Sequence, residues 1–235
     1  MAGKLYLIPT RLGENPPLEV LPLSIKKVVE ELTHFIVENE KTARRFIKII
    51  SPKKSQGELT IYKLNKFTKA EEIPAFLSPC DEGISIGLLS EAGCPAIADP
   101  GASVVKLAHE KNIRVLPLVG PSSILLALMA SGMNGQQFTF HGYLPIDKNE
   151  RKKKIKQIER NAITNSASQI FIETPYRNNN LFEDLIKFLN NQTRLCVAVD
   201  ITLPTEYIQT KTAAQWQRVS IDLHKRPCIF IISDN

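Results

Sequence analysis

Residues 5–8 form an apolar run of the length of a short buried strand. Ile25, Val28, Val29 and Leu32 then recur at helical spacing behind Ser24, which predicts a helix capped by that serine. The same rhythm runs through the first half of the chain. Apolar runs at 35–37, 59–62, 84–89, 114–118 and 138–141 predict strands, with helices between them over 42–50, around Glu71, from Ala102 and from Ser122. Strand and helix in regular alternation imply a parallel sheet covered by helices, because parallel neighbours need a crossover connection.

After Gly142 the texture changes. Residues 143–149 carry a proline and polar side chains, a basic helical stretch follows, and a second series begins with strands near 167–172, 195–199, 206–210 and 228–232 and helices around 181–189 and 213–218. The last strands follow one another closely, which predicts a mixed sheet. The expected fold is therefore α/β with two α/β domains: residues 1–142 with a parallel sheet, and residues 143–235 with a mixed one. Neither a solenoid-period repeat nor a low-complexity tract interrupts this plan.

Composition narrows the setting. With 43% apolar residues in 235, the chain can bury a core without staples. Cys80, Cys94, Cys196 and Cys228 are scattered with no C-x-x-C and no histidine cluster beside them, so neither a zinc site nor a redox motif is indicated, and reduced thiols in a cytoplasm are expected. The apolar stretch 124–129 falls far short of the roughly 20 residues that span a bilayer, and no charged-then-apolar leader opens the chain, so no membrane partner is expected. A net charge of +6 suits an anionic partner such as RNA. The densest basic cluster, Arg151, Lys152, Lys153, Lys154 and Lys156, would partly ring a helix axis; a solvated helix face is the preferred reading and RNA contact the alternative.

In open parallel sheets ligands bind beyond the carboxyl ends of the strands, so the loops leaving the strands carry the candidate chemistry. The first, Pro9-Thr10-Arg11-Leu12-Gly13, lacks G-x-G-x-x-G, and G-x-x-x-x-G-K-[ST] occurs nowhere, so dinucleotide and P-loop binding lose support. The second, residues 90–101, holds two glycines and two prolines, which expose backbone and stiffen the loop; it is either a ligand cradle or a structural turn. The third, Gly120-Pro121-Ser122-Ser123, puts hydroxyls and free amides at a helix start, as an anion site or a plain cap.

At these residues the chain resembles the tetrapyrrole methylase superfamily, and within it the branch that methylates a ribose 2′-hydroxyl of small-subunit ribosomal RNA. Leu5-Tyr6-Leu7-Ile8-Pro9-Thr10 with Leu12-Gly13 resembles L-Y-[LIV]-[IV]-[PA]-T-P-[LI]-G-N, and residues 90–101 resemble S-D-A-G-x-P-x-[IV]-S-D-P-G. Residues 116–122 are similar to V-P-[IL]-P-G-P-S, residues 138–145 to F-x-F-x-G-F-L-P, and Phe171-Ile172-Glu173-Thr174-Pro175-Tyr176-Arg177 to F-Y-E-[SA]-P-H-R. The resemblance implies a homodimer with S-adenosylmethionine in a cleft between the two domains. It implies that Leu12, Gly93, Cys94, Ile97, Ser122 and Ser123 line the cofactor from the first domain, and Glu173, Thr174, Pro227 and Cys228 from the second. Ribosomal RNA or the small ribosomal subunit would be the partner.

Departures concentrate on the acceptor side. The branch's V-E-D-T-R-x-T stands here as Val37-Glu38-Asn39-Glu40-Lys41-Thr42, its H-N-E as Leu64-Asn65-Lys66, and Arg11, Glu14 and Glu91 replace a proline, an asparagine and an aspartate. A 2′-hydroxyl is a poor nucleophile until its proton has somewhere to go, which makes Glu38, Glu91 and His141 the catalytic candidates. Each has a plainer role open to it: a strand-end surface residue, a loop tie, and a packed or capping histidine. A methylase of a tetrapyrrole or other small molecule is the first competing function, although Ala92-Gly93-Cys94-Pro95 stands where ring methylases usually carry G-G-D-P. A cofactor-binding protein without catalysis is the second. The bare backbone of the second loop generates a prediction: S-adenosylmethionine binds with calorimetrically measurable affinity, and Gly93→Val abolishes binding with the fold intact.

Overall fold

The structure, a computed structural model, describes residues 2–234. It divides between Ser122 and Ser123 into two compact units. The first unit runs β1 (Lys4–Ile8), α1 (Pro17–Val20), α2 (Leu23–Glu31), β2 (His34–Val37), α3 (Glu40–Ile50), β3 (Thr60–Lys63), a 3₁₀ turn (Ala70–Glu72) leading into α4 (Ile73–Asp81), β4 (Ile86–Leu89), α5 (Ala102–Glu110) and β5 (Arg114–Pro117). Its strands form a parallel sheet in the order β3-β2-β4-β1-β5. Alternate residues of each strand feed opposite faces. Ile8, Phe35, Val37 and Leu89 pack with α2 and α3, while Leu5, Ile36, Ile86 and Leu88 pack with α4 and α5. Burial on both faces is why these strands read as continuous apolar runs.

The second unit runs α6 (Ser123–Ser131), β6 (Phe138–Tyr143), α7 (Lys148–Asn165), β7 (Ser168–Ile172), α8 (Asn178–Phe188), β8 (Arg194–Val199), β9 (Tyr207–Thr212), α9 (Ala213–Trp216) and β10 (Cys228–Ser233). The sheet order is β6-β7-β10-β8-β9, with β6 parallel to β7 and the other pairs antiparallel. Phe171, Leu195, Val197 and Phe230 pack with α7, α8 and α9, and α6 lies against β8, β9 and β10. Trp216 is fully buried, stands edge-on to Phe182 at 5.4 Å and donates its indole N–H to the Leu195 carbonyl at 2.8 Å. Among the described residues no helix is long and apolar enough to cross a membrane.

The expected parallel and mixed sheets are both present, and three details differ. The division falls after Ser122 and not after Gly142, because β6 pairs with β7 and α6 covers the second sheet. Ser24 is not a cap: α2 begins at Leu23 behind Pro22, whose extended backbone makes no side-chain cap bond. The basic helix is not simply a solvated face. Arg151 is buried, and its Nε and Nη2 reach Asp184 Oδ2 at 2.8 and 2.6 Å, while Lys152 lies over the Phe188 ring at 5.5 Å.

Breaking the Arg151–Asp184 pair leaves one charge buried without its partner, a change that typically costs about 3–5 kcal/mol. Asp184→Ala is expected to lose about that much in urea unfolding, and a double replacement of Arg151 and Asp184 by apolar residues much less. An Asp184→Ala loss no larger than that of the double variant would contradict the pair's role.

Candidate active site

Parallel register brings three loops of the first unit to one level. Ile8 stands opposite Leu89, and Leu7 opposite Pro117, so the chain leaves β1, β4 and β5 together. Just beyond, the Thr10 N–H donates to the Gly93 carbonyl at 3.0 Å, the Gly93 N–H returns to Thr10 at 3.3 Å, and Thr10 Oγ1 donates to the Ser90 carbonyl at 3.2 Å. The third loop joins at the same place. Gly93 has φ +79°, and a Cβ there would stand 3.1 Å from Leu12 Cδ2 and 3.2 Å from the Pro121 carbonyl oxygen. The Cys94 thiol donates to that oxygen at 3.5 Å. The sequence-predicted residues Leu12, Gly93 and Cys94 are thus in one cluster, and Ser122 follows directly on Pro121, with Ser123 opening α6.

The second loop is held in a costly conformation. Ala96 and Ala98, on either side of Ile97, have φ of 64° and 56°, a left-handed region that costs a non-glycine residue on the order of 1 kcal/mol or more. Ile97 is 55% exposed, and Val119 in the third loop 75%. Strain of this kind clusters where a loop must present atoms to a ligand. Bare backbone flanked by exposed apolar side chains fits a nucleoside-linked cofactor, which needs both polar contacts and an apolar surface. The space beside Gly93 is filled by Leu12 and Pro121, so Gly93→Val must also displace the loops, and its loss of binding would come with a local rearrangement and not with the fold wholly intact.

Beside this cluster lie the carboxylates. Glu38 follows β2, and Glu91 and Asp99 lie in the loop after the neighbouring β4. Glu91 takes the Thr42 hydroxyl at 2.8 and 2.9 Å and the Asn39 N–H at 3.3 Å, which ties its loop to the start of α3. Asn39 caps that helix through Oδ1, accepting from Lys41 at 2.9 Å and Thr42 at 3.5 Å, so the capping function survives the change from aspartate. Glu38 and Asp99 line the same cavity, close enough for each carboxyl to act on the proton affinity of the other. Partial burial, then the charges of Asp99 and Glu91, push the Glu38 carboxyl up; burial pushes Asp99 up, with Glu91 adding to it against hydrogen bonds from Ser90 and the Glu91 backbone. These groups line a cavity of about 680 Å³ together with Asn65, Lys66, Phe67 and Thr68. Sequence reasoning misses Asp99, whose only signal is its place in a motif loop beside the strand that carries Glu38.

In the second unit the predicted residues lie at one end of the sheet, where Ile172 stands opposite Ile229 and Cys228 opposite Val199. Glu173 is buried; Oε1 accepts from the Thr174 N–H at 2.6 Å and from Arg177 Nε and Nη2 at 3.0 and 2.6 Å, while Oε2 has no partner. A buried carboxylate oxygen without a donor is a ready acceptor for a ligand N–H or O–H. The Pro227 carbonyl is occupied by the Asp200 N–H at 3.0 Å. Cys228 is an interior strand residue whose thiol is pushed up to about 12 by burial and then by Asp200, so it offers no reactive thiolate. His141 lies on β6, half-buried, with Nε2 2.8 Å from Gln169 Oε1, and burial lowers its pKa so that the ring is neutral at pH 7. It is in the second unit, apart in the chain's organisation from the carboxylates with which it was grouped.

This fold, a parallel and a mixed five-stranded sheet in one chain, is similar to that of solved methyltransferases. The methyltransferase CobJ superposes with a TM-score of 0.65 over 99% of this chain and 95% of its own at 13% identity. A uroporphyrin-III C-methyltransferase from Thermus thermophilus, complexed with S-adenyl homocysteine, gives a TM-score of 0.58 over 98% and 97% at 13% identity. At such identities the likeness is one of fold. In sequence the chain is similar to the protein named ribosomal RNA small subunit methyltransferase I of Vibrio cholerae, 28% identical over 90% of this chain and 69% of that one. Its counterpart in Buchnera aphidicola is 28% identical over 99% and 78%. No protein-family model matches. The resemblance read from the motifs is borne out by these relatives.

The raised carboxyls link stability to pH. Because Glu38 and Asp99 hold protons in the native state that the unfolded chain has lost, their contribution is fully present below the unfolded carboxylate range of about pH 4 and is lost as pH rises through the raised native values. Glu38→Gln is therefore expected to raise the melting temperature at pH 7 and to leave it nearly unchanged below about pH 4. A melting-temperature series across that range decides it; equal shifts at both ends would rule out the linkage.

Proposed function

We propose that this chain is an S-adenosylmethionine-dependent methyltransferase that modifies a ribose 2′-hydroxyl of small-subunit ribosomal RNA, acting in the cytoplasm as a homodimer. The observation that carries the reading is the similarity to ribosomal RNA small subunit methyltransferases along as much as 99% of the chain, which extends well beyond the cofactor loops. Four free cysteines suit a reducing compartment.

Bound S-adenosylmethionine supplies an electrophilic methyl group on its sulfonium. The residues do the rest. In the first unit, Leu12, Gly93, Cys94, Ile97 and Ser122, with Ser123 directly after them, offer the cofactor exposed backbone and apolar side chains; in the second, taken by itself, Glu173 can accept a donor at its free Oε2, with Thr174 beside it and Pro227 and Cys228 at the same sheet end. The Glu38–Asp99 pair receives the hydroxyl proton as the acceptor oxygen attacks, and Glu91 positions the loop that carries Asp99. A base of this kind acts only once it has lost its own proton, so transfer should rise with pH through the raised value.

The test incubates the protein and radiolabelled S-adenosylmethionine with small ribosomal subunits from a deletion strain, followed by digestion to nucleosides. A labelled 2′-O-methyl nucleoside, absent with parental subunits, is expected. Asp99→Asn should lower kcat by about 10²-fold or more while S-adenosylhomocysteine affinity stays the same. Label in a tetrapyrrole only, or in no acceptor although cofactor binds, would overturn the reading.

A further inference from the structure

The 680 Å³ cavity has a further lining segment that the proposed transfer does not use. It is the turn after β3, and hydrogen bonds fix it. Leu64 donates to the Val37 carbonyl at 2.8 Å, Asn65 N–H to Thr68 Oγ1 at 2.9 Å, Phe67 N–H to Asn65 Oδ1 at 2.9 Å, and Thr68 Oγ1 to the Lys63 carbonyl at 3.1 Å. So rigid a turn nonetheless leaves the Phe67 ring 78% exposed at the cavity, with Lys66 Nζ 4.9 Å from its centroid. Such exposure contributes nothing to the core and costs hydration.

We propose that Phe67 is the stacking platform for the base of a single-stranded RNA nucleotide in this cavity, with Lys66 meeting its phosphate. This rests on the RNA-methyltransferase reading. A volume of 680 Å³ lies within the range of small-molecule sites, ample for one nucleotide. Sequence-selective RNA binding works on unpaired bases that stack on aromatic faces. The cavity also divides its charge along the sheet order β3-β2-β4: Glu38 after β2 and Asp99 after β4 repel phosphate and accept a hydroxyl proton, while Lys66 after the edge strand β3 attracts phosphate. A nucleotide therefore enters with its sugar toward the carboxylates and its base and phosphate toward Phe67 and Lys66.

The experiment compares Phe67→Ala, Phe67→Leu and Phe67→Trp, using single-stranded RNA oligonucleotides and small ribosomal subunits from a deletion strain. Base stacking on an aromatic residue is worth roughly 5- to 150-fold in affinity. Alanine and leucine should each raise the KM for subunits by about tenfold, with S-adenosylhomocysteine affinity unchanged, and tryptophan should restore most of it. The indole introduced by Phe67→Trp should also be quenched by the oligonucleotides, over the background of the parent. If leucine serves as well as phenylalanine, or if a tetrapyrrole quenches the indole and RNA does not, the platform is wrong. If RNA quenches it but no 2′-O-methyl nucleoside forms, the platform stands and the enzymatic reading falls.

Discussion

The site depends on the parallel pairing of β1 with β4 and β5, and of β4 with β2. Parallel strands rise in the same direction, so their carboxyl ends come out at one edge, and the register of Ile8 with Leu89, Leu7 with Pro117 and Ile36 with Leu88 makes those ends level. Every loop with candidate chemistry in the first unit starts from that edge. Glu38 and Asp99, distant in sequence, come to line one cavity because their strands are neighbours. A slip of one residue would turn alternate side chains to the other face and misalign the loops with them.

The loops are then fixed to each other. The Thr10–Gly93 bridge, the Cys94–Pro121 contact and the Glu91–Thr42 bond tie four strand-end segments with groups that no strand pairing uses. These ties offset the left-handed backbone of Ala96 and Ala98. The second unit, taken by itself, carries a buried carboxylate, Glu173, whose one oxygen is engaged by Arg177 and Thr174 and whose other has no partner.

Most strands were legible because a strand buried on both faces is a run of apolar residues, and the three loops because glycine and proline mark them. The division of the chain was not. β6 follows a helix as earlier strands do, and only its pairing with β7, a non-local event, assigns it to the second sheet. Arg151 looked like its lysine neighbours because nothing local reveals Asp184 on α8. At the site, Gly93 was legible as a special position but for an incomplete reason, since its crowding by Leu12 and Pro121 exists only after the loops meet. Asp99 and Phe67 were hidden in the same way, because a neighbouring carboxylate and a cavity wall are properties of pairs of segments.

Arg11 and Glu14, two of the departures from the motif of the relatives' branch, turn out to be bonded to each other. Glu14 Oε2 takes Arg11 Nη2 at 2.8 Å and Arg45 Nη2 at 2.9 Å, and Arg11 Nη1 also donates to the Asn15 carbonyl at 2.6 Å. Arg11's side chain is only 12% exposed, so the guanidinium would be poorly solvated without that carboxylate. The two exchanges are chemically a single event. In an evolutionary tree they should be gained and lost together, and a comparison that scores them separately overstates the divergence of this loop.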